Sequence, residues 1–369
     1  GGGGLKTSSW SLMAKLSGRV PIIGINSGFC FAGNAALLGC CDVIIATANS
    51  SIGMGGPAMI EGGGLGVYRP EEVGPMSVQV PNGVVDIAVA DEAEAVDTAK
   101  RYLSYFQGDL KDWECADQRL LRHAIPENRL RVYDIRKLIE TMADTDSVLE
   151  LRAGFGLAMI TAFVRIEGRP IGIVGNNPTH LSGAIDSDAA DKAARFMKLC
   201  DAFNIPILML CDTPGIMVGP EVEKTGVVRH AARIFLVGAS LTVPCFCVIL
   251  RKAYGLGAQA MAGGNHNLPA FLVAWPTSEF GGMGLEGQVK LGQISILEAI
   301  DDPVERQIKF EELVEAAYNR GKGLNAGHVF EVDDVIDPAD TRRWISAGLN
   351  GASPERLNRR DKKTCIDAW

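Results

Sequence analysis

Short apolar runs without regular polar alternation recur along the chain, and most are bounded by glycine, proline or aspartate. Such runs are typical of strands buried on both faces, as in the sheets of α/β proteins. Ser187 and Asp188 resemble helix caps and predict a helix from Ala189 to Phe203. The pattern therefore predicts an α/β fold, with strands at 20–25, 42–46, 169–174, 205–210, 243–248 and 270–274.

The first two runs and the last two belong to a repeated pattern. Each copy opens a strand with Val-Pro and continues with a glycine-bearing turn, an alanine-rich helix, a second strand and a Gly-Met-Gly turn. An offset of about 220 to 230 residues is far longer than a solenoid repeat, so the pattern predicts two homologous domains. The features lie at 20–25, 28–35, 42–46 and 53–56 in the first copy, and at 243–248, 253–258, 270–274 and 281–284 in the second.

We place the first domain at 1–145 and the second at 146–369. The segment 91–147 is richer in charge and is typical of helix, linker and domain boundary. The second domain is expected to end in a helical, charged region with a basic tail at 359–363. The opening Gly1–Gly4 run is an unusual start for a domain, so we expect the first domain to be incomplete at its start.

Composition and charge narrow the functional class. A net charge of -8 and a pI near 5.3 argue against a general nucleic-acid binder, which usually carries a basic face. Nine cysteines occur without Cys-x-x-Cys pairs, mostly inside apolar runs, which predicts reduced core residues and a cytosolic type of compartment. We expect neither a membrane span nor a secretory signal.

Several motifs are better explained as ordinary structure. Asp212-Thr213-Pro214-Gly215 suggests a GTPase switch, but the sequence lacks a phosphate-binding P-loop, so a strand-ending turn is the better interpretation. The Gly-x-Gly-x-x-Gly match at 282–287 is a weak dinucleotide signal outside its usual βαβ context. The five histidines are scattered without metal-ligand spacing, so no metal site is predicted. The sequence offers no obvious side-chain nucleophile or general base.

Two glycine turns, at 28–34 and 254–257, follow buried strands and precede alanine-rich helices. Turns of this kind direct unpaired peptide N–H groups along the helix axis, which suits developing negative charge. Tight packing between strand and helix is the alternative reason for glycine there. Because the turns occupy equivalent positions in the two copies, we favour a pair of oxyanion sites.

The segment 28–46 resembles the crotonase-superfamily signature of a glycine turn, a helix and a Cys-Asp strand. Family members usually carry a run of glycines where this chain has Ala32-Gly33-Asn34, so the backbone donors remain but the freedom of two glycines does not. The second half is similar to the carboxyltransferase of biotin-dependent acyl-CoA carboxylases. This resemblance covers nearly the whole chain and implies two crotonase-like (ClpP/crotonase) ββα-superhelix domains. Its motifs are Gly175-Asn176-Asn177-Pro178, 186–196, 200–206, Asp212-Thr213-Pro214-Gly215, Arg251-Lys252-Ala253-Tyr254-Gly255, 274–277 and 333–342.

The resemblance implies transfer of CO2 from carboxybiotin to the α-carbon of an acyl-CoA. The biotin anion would take the α-proton, and the enolate would attack CO2, so two oxyanions need stabilisation. N–H groups of Ala32, Gly33 and Asn34 would face the thioester enolate, and those of Leu256 and Gly257 the biotin oxygen. Gly255 in the same turn is a further catalytic candidate. Valine at Gly33 or Gly257 is expected to abolish transfer without loss of the fold.

The resemblance also implies binding residues and partners. Gln259 is a candidate for shaping the acyl pocket, although an ordinary helix residue is an equally good interpretation. Carboxybiotin would arrive on a carrier, so a biotin carboxylase and a biotin carboxyl carrier are expected as separate subunits or upstream in a longer chain. The active site would form between subunits of a homo-oligomer, a dimer or a hexamer, in the cytoplasm or the mitochondrial matrix. The acyl-CoA- or biotin-binding candidates are Gly28, Phe29, Gly55, Gly56, Pro57, Arg251, Lys252, Ala253, Tyr254, Gln259, Gly282, Met283 and Gly284.

Three alternatives remain open at this point. A biotin-dependent decarboxylase would run related chemistry in reverse. A crotonase-type hydratase or isomerase would use an acid, and Glu61 lies where such enzymes often keep one. A non-catalytic assembly subunit could retain the fold.

Overall fold

The computed structural model describes residues 6–352 and 364–369. The Gly1–Gly4 run and the basic tail at 359–363 lie outside the described residues. The strands are β1 Ile23–Asn26, β2 Phe29–Phe31, β3 Val43–Thr47, β4 Ser51–Gly53, β5 Ile87–Val89, β6 Leu149–Leu151, β7 Met159–Ile166, β8 Arg169–Asn176, β9 Ile207–Thr213, β10 Cys245–Tyr254, β11 Phe271–Ala274, β12 Glu279–Gly281 and β13 Asp334–Val335.

The α-helices are α1 Ser9–Ala14, α2 Gly33–Gly39, α3 Pro57–Gly62, α4 Met76–Gln79, α5 Glu92–Ser104, α6 Ile135–Met142, α7 Ser187–Ala202, α8 Pro220–Glu223, α9 Val227–Ser240, α10 Gly255–Met261, α11 Leu285–Gly292, α12 Ile294–Glu298, α13 Pro303–Gly321, α14 Gly323–His328 and α15 Thr341–Gly351. Short 3-10 turns lie at Pro70–Glu72, Gln118–His123, Leu181–Gly183 and Pro338–Asp340.

The larger sheet has the strand order β13-β11-β10-β9-β8-β7-β6, and β12 pairs with the end of β10. Strands β8, β9, β10, β11 and β13 are parallel, whereas β7 is antiparallel to β8 and β6. Helices α7, α9 and α10 contribute to the core on one face, and α6 and α15 contribute to the core on the other. The sheet is therefore buried on both faces, which explains its unbroken apolar strands.

The smaller sheet has the order β1-β3-β5, and β2 pairs with β4 beside it. Its β3 and the helix α5 belong to the same hydrophobic core as α7. Helix α6 packs on the larger sheet although it lies before residue 145. The domain limit at 145 stays a prediction.

Strand pairing confirms the duplication. In the first copy, β1 pairs in parallel with β3, and β2 pairs in parallel with β4. In the second copy, the start of β10 pairs in parallel with β11, and the end of β10 pairs in parallel with β12. The register is the same in both copies. Residues of β1 and β2 correspond to residues of β10 that lie 223 positions later, and residues of β3 and β4 correspond to residues of β11 and β12 that lie 228 positions later. Within the described residues before β1 there is one helix and no strand, so the first copy has no counterpart of β6–β9 there. The matching pairs are Ile23–Val43 with Phe246–Phe271, and Phe31–Gly53 with Tyr254–Gly281.

The six predicted strands are present among the thirteen strands of the described residues, and three differences from the predictions are informative. β10 continues beyond the predicted run to Tyr254, because its last residues pair with β12. The hairpin strand β7 was not predicted, although its turn at Glu167 and Gly168 has positive φ at both positions, as a type I′ turn requires. The predicted caps of α7 were wrong, since Asp186 caps the helix by accepting from the Ala189 N–H at 2.8 Å.

The nine cysteines are free thiols, and six of them are buried. Burial raises the pKa of the Cys245 thiol to about 12, which keeps it protonated and unreactive. No helix within residues 6–352 and 364–369 is long and apolar enough to span a membrane.

Candidate functional site

The two glycine turns share a positive φ at equivalent positions. Ala32 precedes α2 with φ of 55° and ψ of −124°. Gly255, which follows Ala32 by 223 positions, begins α10 with φ of 54°. In both turns, therefore, the chain passes from a strand into a seven-residue helix through a residue with positive φ.

In the first turn, one of the three predicted donors is already used. The Ala32 N–H donates to the Gly53 carbonyl at 3.1 Å, which continues the pairing of β2 with β4. The N–H groups of Gly33 and Asn34 lie in the first turn of α2 and have no acceptor among the described residues. Gly33 and Asn34 are therefore the available donors.

In the second turn, Leu256 and Gly257 occupy the equivalent positions. Their N–H groups have no intrahelical acceptor, since both residues lie in the first turn of α10. A Cβ on Gly257 would lie 2.7 Å from the Gly215 Cα, and a Cβ on Gly255 would lie 2.7 Å from the Gly282 carbonyl oxygen. Close backbone packing therefore requires glycine at both 255 and 257. The same turn also presents the N–H groups of Leu256 and Gly257, which have no intrahelical acceptor.

A cavity of about 550 Å³ lies next to the second turn. No residue of the first turn is among its described lining residues. This cavity therefore contains part of the predicted set of site residues, and the first turn lies outside it. The predicted residues that line the cavity are Ala253, Gly255, Gln259 and Gly282.

Other residues of this cavity were not predicted. His266, Arg320 and Asn325 add polar groups from the loop after α10 and from α13 and α14. These segments fall outside the repeated pattern and carry no recognisable motif. A single sequence therefore gives no local signal for them.

The first turn has its own surroundings. Phe29 is 53% exposed and stacks on Phe31 with ring centres 6.1 Å apart. Gly56 precedes α3, and a Cβ there would lie 3.1 Å from the Phe31 ring. Gly55 and Pro57 flank it, and Glu61 is exposed on α3. The first turn therefore lies beside an exposed aromatic surface.

Arg251 and Lys252 lie near the end of β10, just before the second turn, and both pair with Asp212. The Arg251 guanidinium is buried and contacts the Asp212 carboxylate at 3.0 Å and the Arg131 carbonyl at 2.7 Å. The Lys252 ammonium contacts the Ser182 carbonyl at 2.8 Å and Asp212 at 3.5 Å. Burial lowers the pKa of Lys252, and Asp212 opposes that shift. These contacts favour a positioning role over the direct ligand binding that the resemblance implied.

The remaining candidates are divided by exposure. Tyr254 is buried at the end of β10, whereas Leu256 is 61% exposed at the start of α10. Met283 is partly exposed, and Gly284 caps α11 as Gly56 caps α3 in the first copy. In the part of the chain that the structure describes, no group of three or more His, Cys, Asp or Glu side chains could hold a metal ion.

Ala32 and Gly255, which both have positive φ, allow a test of the duplication by opposite substitutions. Ala32→Gly is expected to increase the free energy of unfolding by about 1 kcal/mol, since a non-glycine residue at this φ and ψ is strained. Gly255→Ala should decrease it by at least about 1 kcal/mol, because it adds the same strain and the contact with Gly282. Urea unfolding of both variants measures the effect, with Gly39→Ala, where no atom lies within 4 Å, as the control. Shifts of the same sign in the first two variants would contradict the equivalence.

Comparison with known proteins identifies the family. A family model described as the carboxyl transferase domain matches residues 11–364. The chain is 36% identical over 359 residues to the methylmalonyl-CoA carboxyltransferase 12S subunit of Propionibacterium freudenreichii subsp. shermanii, covering 95% of this chain and 68% of that subunit. It is 32% identical over 352 residues to the biotin-dependent acetyl-/propionyl-coenzyme A carboxylase beta6 subunit of Mycobacterium bovis, covering 93% and 74%.

Solved structures of similar proteins support the same family. A single-chain, multi-domain long-chain acyl-CoA carboxylase matches with a TM-score of 0.89 and 56% identity, covering 94% of this chain and 34% of that one. The transcarboxylase 12S hexamer with methylmalonyl-CoA bound matches with a TM-score of 0.85 and 34% identity, covering 96% and 69%. The chain spans 56% to 74% of the length of the first curated relatives. The chain therefore belongs to the carboxyl transferase domain family, and it has that family's two crotonase-like domains.

Proposed function

We propose that this chain transfers a carboxyl group from carboxybiotin to the α-carbon of an acyl-CoA thioester. The observation that carries the proposal is the pair of equivalent turns, each of which presents two first-turn N–H groups and no acidic or basic side chain. Two such sites suit a reaction that develops two oxyanions. Family membership and the biotin-dependent relatives support the same reaction class.

The chain contributes hydrogen-bond donors and shape. When bound, carboxybiotin supplies CO2 and a base for the α-proton. The N–H groups of Gly33 and Asn34 would stabilise the thioester enolate oxygen, and those of Leu256 and Gly257 the ureido oxygen. The cavity of about 550 Å³ beside the second turn falls in the size range of small-molecule sites and fits a bicyclic ureido ring.

We further propose that the complete active site forms between two copies of the chain. Described residues of the first turn do not line the cavity of the second turn. Trp10, Phe29, Met54 and Met59 are exposed apolar side chains; Phe29 belongs to the first turn, and the Trp10 ring lies 3.1 Å from the Cβ position of Gly33. Exposed apolar side chains that lie close together are typical of a protein interface. The hexamer assembly described for transcarboxylase 12S supports a homo-oligomer here, a dimer or a trimer of dimers.

The proposed reaction needs partners. A biotin carboxylase and a biotin carboxyl carrier would supply carboxybiotin, either as separate subunits or as parts of a longer chain. The solved single-chain, multi-domain long-chain acyl-CoA carboxylase, of which this chain covers 34%, supports the latter arrangement. A cytoplasmic location stays a prediction.

Gln259 is our candidate for selecting the acyl group. It lies on α10 two residues after Gly257 and lines the cavity of the second turn. A side chain at that point would limit the depth available to a ligand. The equally simple interpretation, a helix residue without a role in selection, predicts that Gln259→Ala changes the rates with all acyl lengths by the same factor.

A carboxyl-transfer assay tests the proposed function. The chain in its native assembly should carboxylate acyl-CoA when carboxybiotin is supplied, and the assay should be repeated with acyl-CoA of several lengths. Glu61→Gln should leave the rate within about twofold, since Glu61 is exposed and the mechanism needs no acid there. A protein that hydrates enoyl-CoA, that only decarboxylates, or that needs Glu61 would contradict the proposal.

A further inference from the structure

Arg320 is the one lysine or arginine among the described residues that line the cavity of the second turn. It lies in the last turn of α13 and is exposed. The same cavity is lined by Gly255 at the start of α10 and by Gln259 one turn later. A cation therefore lies at the proposed site of the ureido ring.

The charge of Arg320 is not used within the described part of the chain. Its guanidinium has no ion pair and no hydrogen bond with the described residues. Arg129, by contrast, pairs with Glu286 at 2.7 Å. The cavity's one described carboxylate, Glu331, lies 3.8 Å from the His266 Nδ1 and forms no ion pair with Arg320. The Arg320 guanidinium is therefore available to a ligand.

The backbone of Arg320 is fixed relative to the second turn. A Cβ on the next residue, Gly321, would lie 2.5 Å from the Phe280 carbonyl oxygen, so α13 ends in close contact with β12. Strand β12 in turn pairs with the end of β10, where Gly281 is opposite Tyr254. The exposed guanidinium therefore extends from a fixed position beside the turn.

The proposed ligand carries a charge that the second turn leaves without a donor. Leu256 and Gly257 supply two N–H groups, which the ureido oxygen would use. The carboxylate on the adjacent ureido nitrogen would still need a partner. A guanidinium is planar and can bind a carboxylate through two parallel N–H donors. Arg320 is thus the lining residue that matches this carboxylate in charge and geometry.

We propose that Arg320 binds the carboxylate on the ureido nitrogen of carboxybiotin, a role that rests on the proposed carboxyl transfer. Arg320 makes and breaks no bond: the electron pair of the N–C bond stays on the ureido group, and CO2 leaves without charge. The contact is therefore lost as CO2 leaves, so Arg320 contributes to binding of the ligand more than to the transition state. Arg320→Gln is expected to raise the KM for carboxybiotin about fivefold without lowering kcat or changing the KM for acyl-CoA.

Equilibrium binding of a stable probe separates this role from turnover. The probe is ethyleneurea-N-acetate, which keeps a ureido ring and a carboxylate on its nitrogen, and ethyleneurea-N-acetamide is the matched neutral probe. Calorimetry with the chain in its native assembly should give a Kd of about a millimolar for the acetate, as expected for so small a ligand. The acetamide should bind about fivefold more weakly, which is the upper range for a partly exposed ion pair. Arg320→Gln should remove this difference, and Arg320→Lys should keep most of it.

Lys290→Gln is the matched control. Lys290 is also an exposed cation in the last turn of its helix and has no partner among the described residues, but it does not line the cavity. Any general effect of a cation at a helix C-terminus is therefore common to both positions. Gln288→Trp tests the location, because Gln288 is exposed and lines the cavity, and it should weaken the binding of both probes.

Three outcomes would overturn the proposal. Arg320→Gln could retain the preference for the acetate, which would assign the carboxylate to another group. Lys290→Gln could lose the preference equally, which would make it an effect of overall charge. Gln288→Trp could leave both affinities unchanged, which would place the probes outside this cavity. A wild-type chain that shows the preference but transfers no carboxyl group would instead contradict the proposed function, while supporting Arg320 as a carboxylate-binding residue.

Discussion

Replacing Gly33 by valine is expected to reduce carboxyl transfer about 100-fold, the effect of removing one oxyanion donor. Gly33 lies in the first turn of α2, where its N–H and that of Asn34 have no acceptor among the described residues. A Cβ at this position would lie 3.1 Å from the Trp10 ring, which is the far end of a side chain that is 42% exposed. The added bulk therefore obstructs the donors without disturbing backbone packing.

The measurement is the rate of carboxyl transfer at saturating acyl-CoA, with circular dichroism to establish that the fold is retained. Gly39→Val is the matched control, because Gly39 ends the same helix and has no atom within 4 Å of its Cβ position. Wild-type turnover in Gly33→Val, or an equal loss in Gly39→Val, would remove the first turn from the mechanism.

Gly257→Val does not provide an equally clean test, and here the structure corrects the sequence-based expectation. A Cβ at 257 would lie 2.7 Å from the Gly215 Cα and 2.8 Å from its carbonyl carbon. Backbone atoms cannot move aside as the Trp10 side chain can. Valine at 257 is therefore expected to disturb the fold as well as the donors, so a loss of activity there would not identify the cause.

The parts of the fold that could be predicted are those that depend on local pattern. An apolar run bounded by proline or aspartate predicts a buried strand, which is why β1, β3, β10 and β11 were found from the sequence. The duplication was also visible, because Gly-rich turns and Ala-rich helices leave a pattern that does not depend on tertiary contacts. The registers at Ile23 and Phe246 confirm it.

The parts that could not be predicted depend on contacts between distant residues. Nothing local to Ala32 shows that its N–H is used by Gly53. Likewise, Arg251 and Lys252 were acyl-CoA- or biotin-binding candidates from the sequence, and only the position of Asp212 on the neighbouring strand shows that both are paired within the chain. The sequence could therefore locate the turns but could not decide which groups within them are free.

Asp212→Asn is expected to lower the free energy of unfolding by about 3–5 kcal/mol, the loss typical of breaking a buried ion pair. Asp212 is fully buried at the end of β9 and accepts from the Arg251 guanidinium at 3.1 Å and from the Lys252 N–H at 3.1 Å. Removing its charge would leave Arg251 buried without a carboxylate. The midpoint of urea unfolding measures the change.

The same substitution should also affect the site, because Asp212 begins the turn that reaches Gly215 beneath Gly257. Glu312→Gln is the control, since its pair with Lys309 is of similar length, 2.9 Å, but partly exposed. Exposed pairs contribute about 0–1 kcal/mol, so the control should shift unfolding little. If Asp212→Asn shifts unfolding no more than Glu312→Gln does, the buried pair does not hold the end of β9, and the support of the second turn must come from elsewhere.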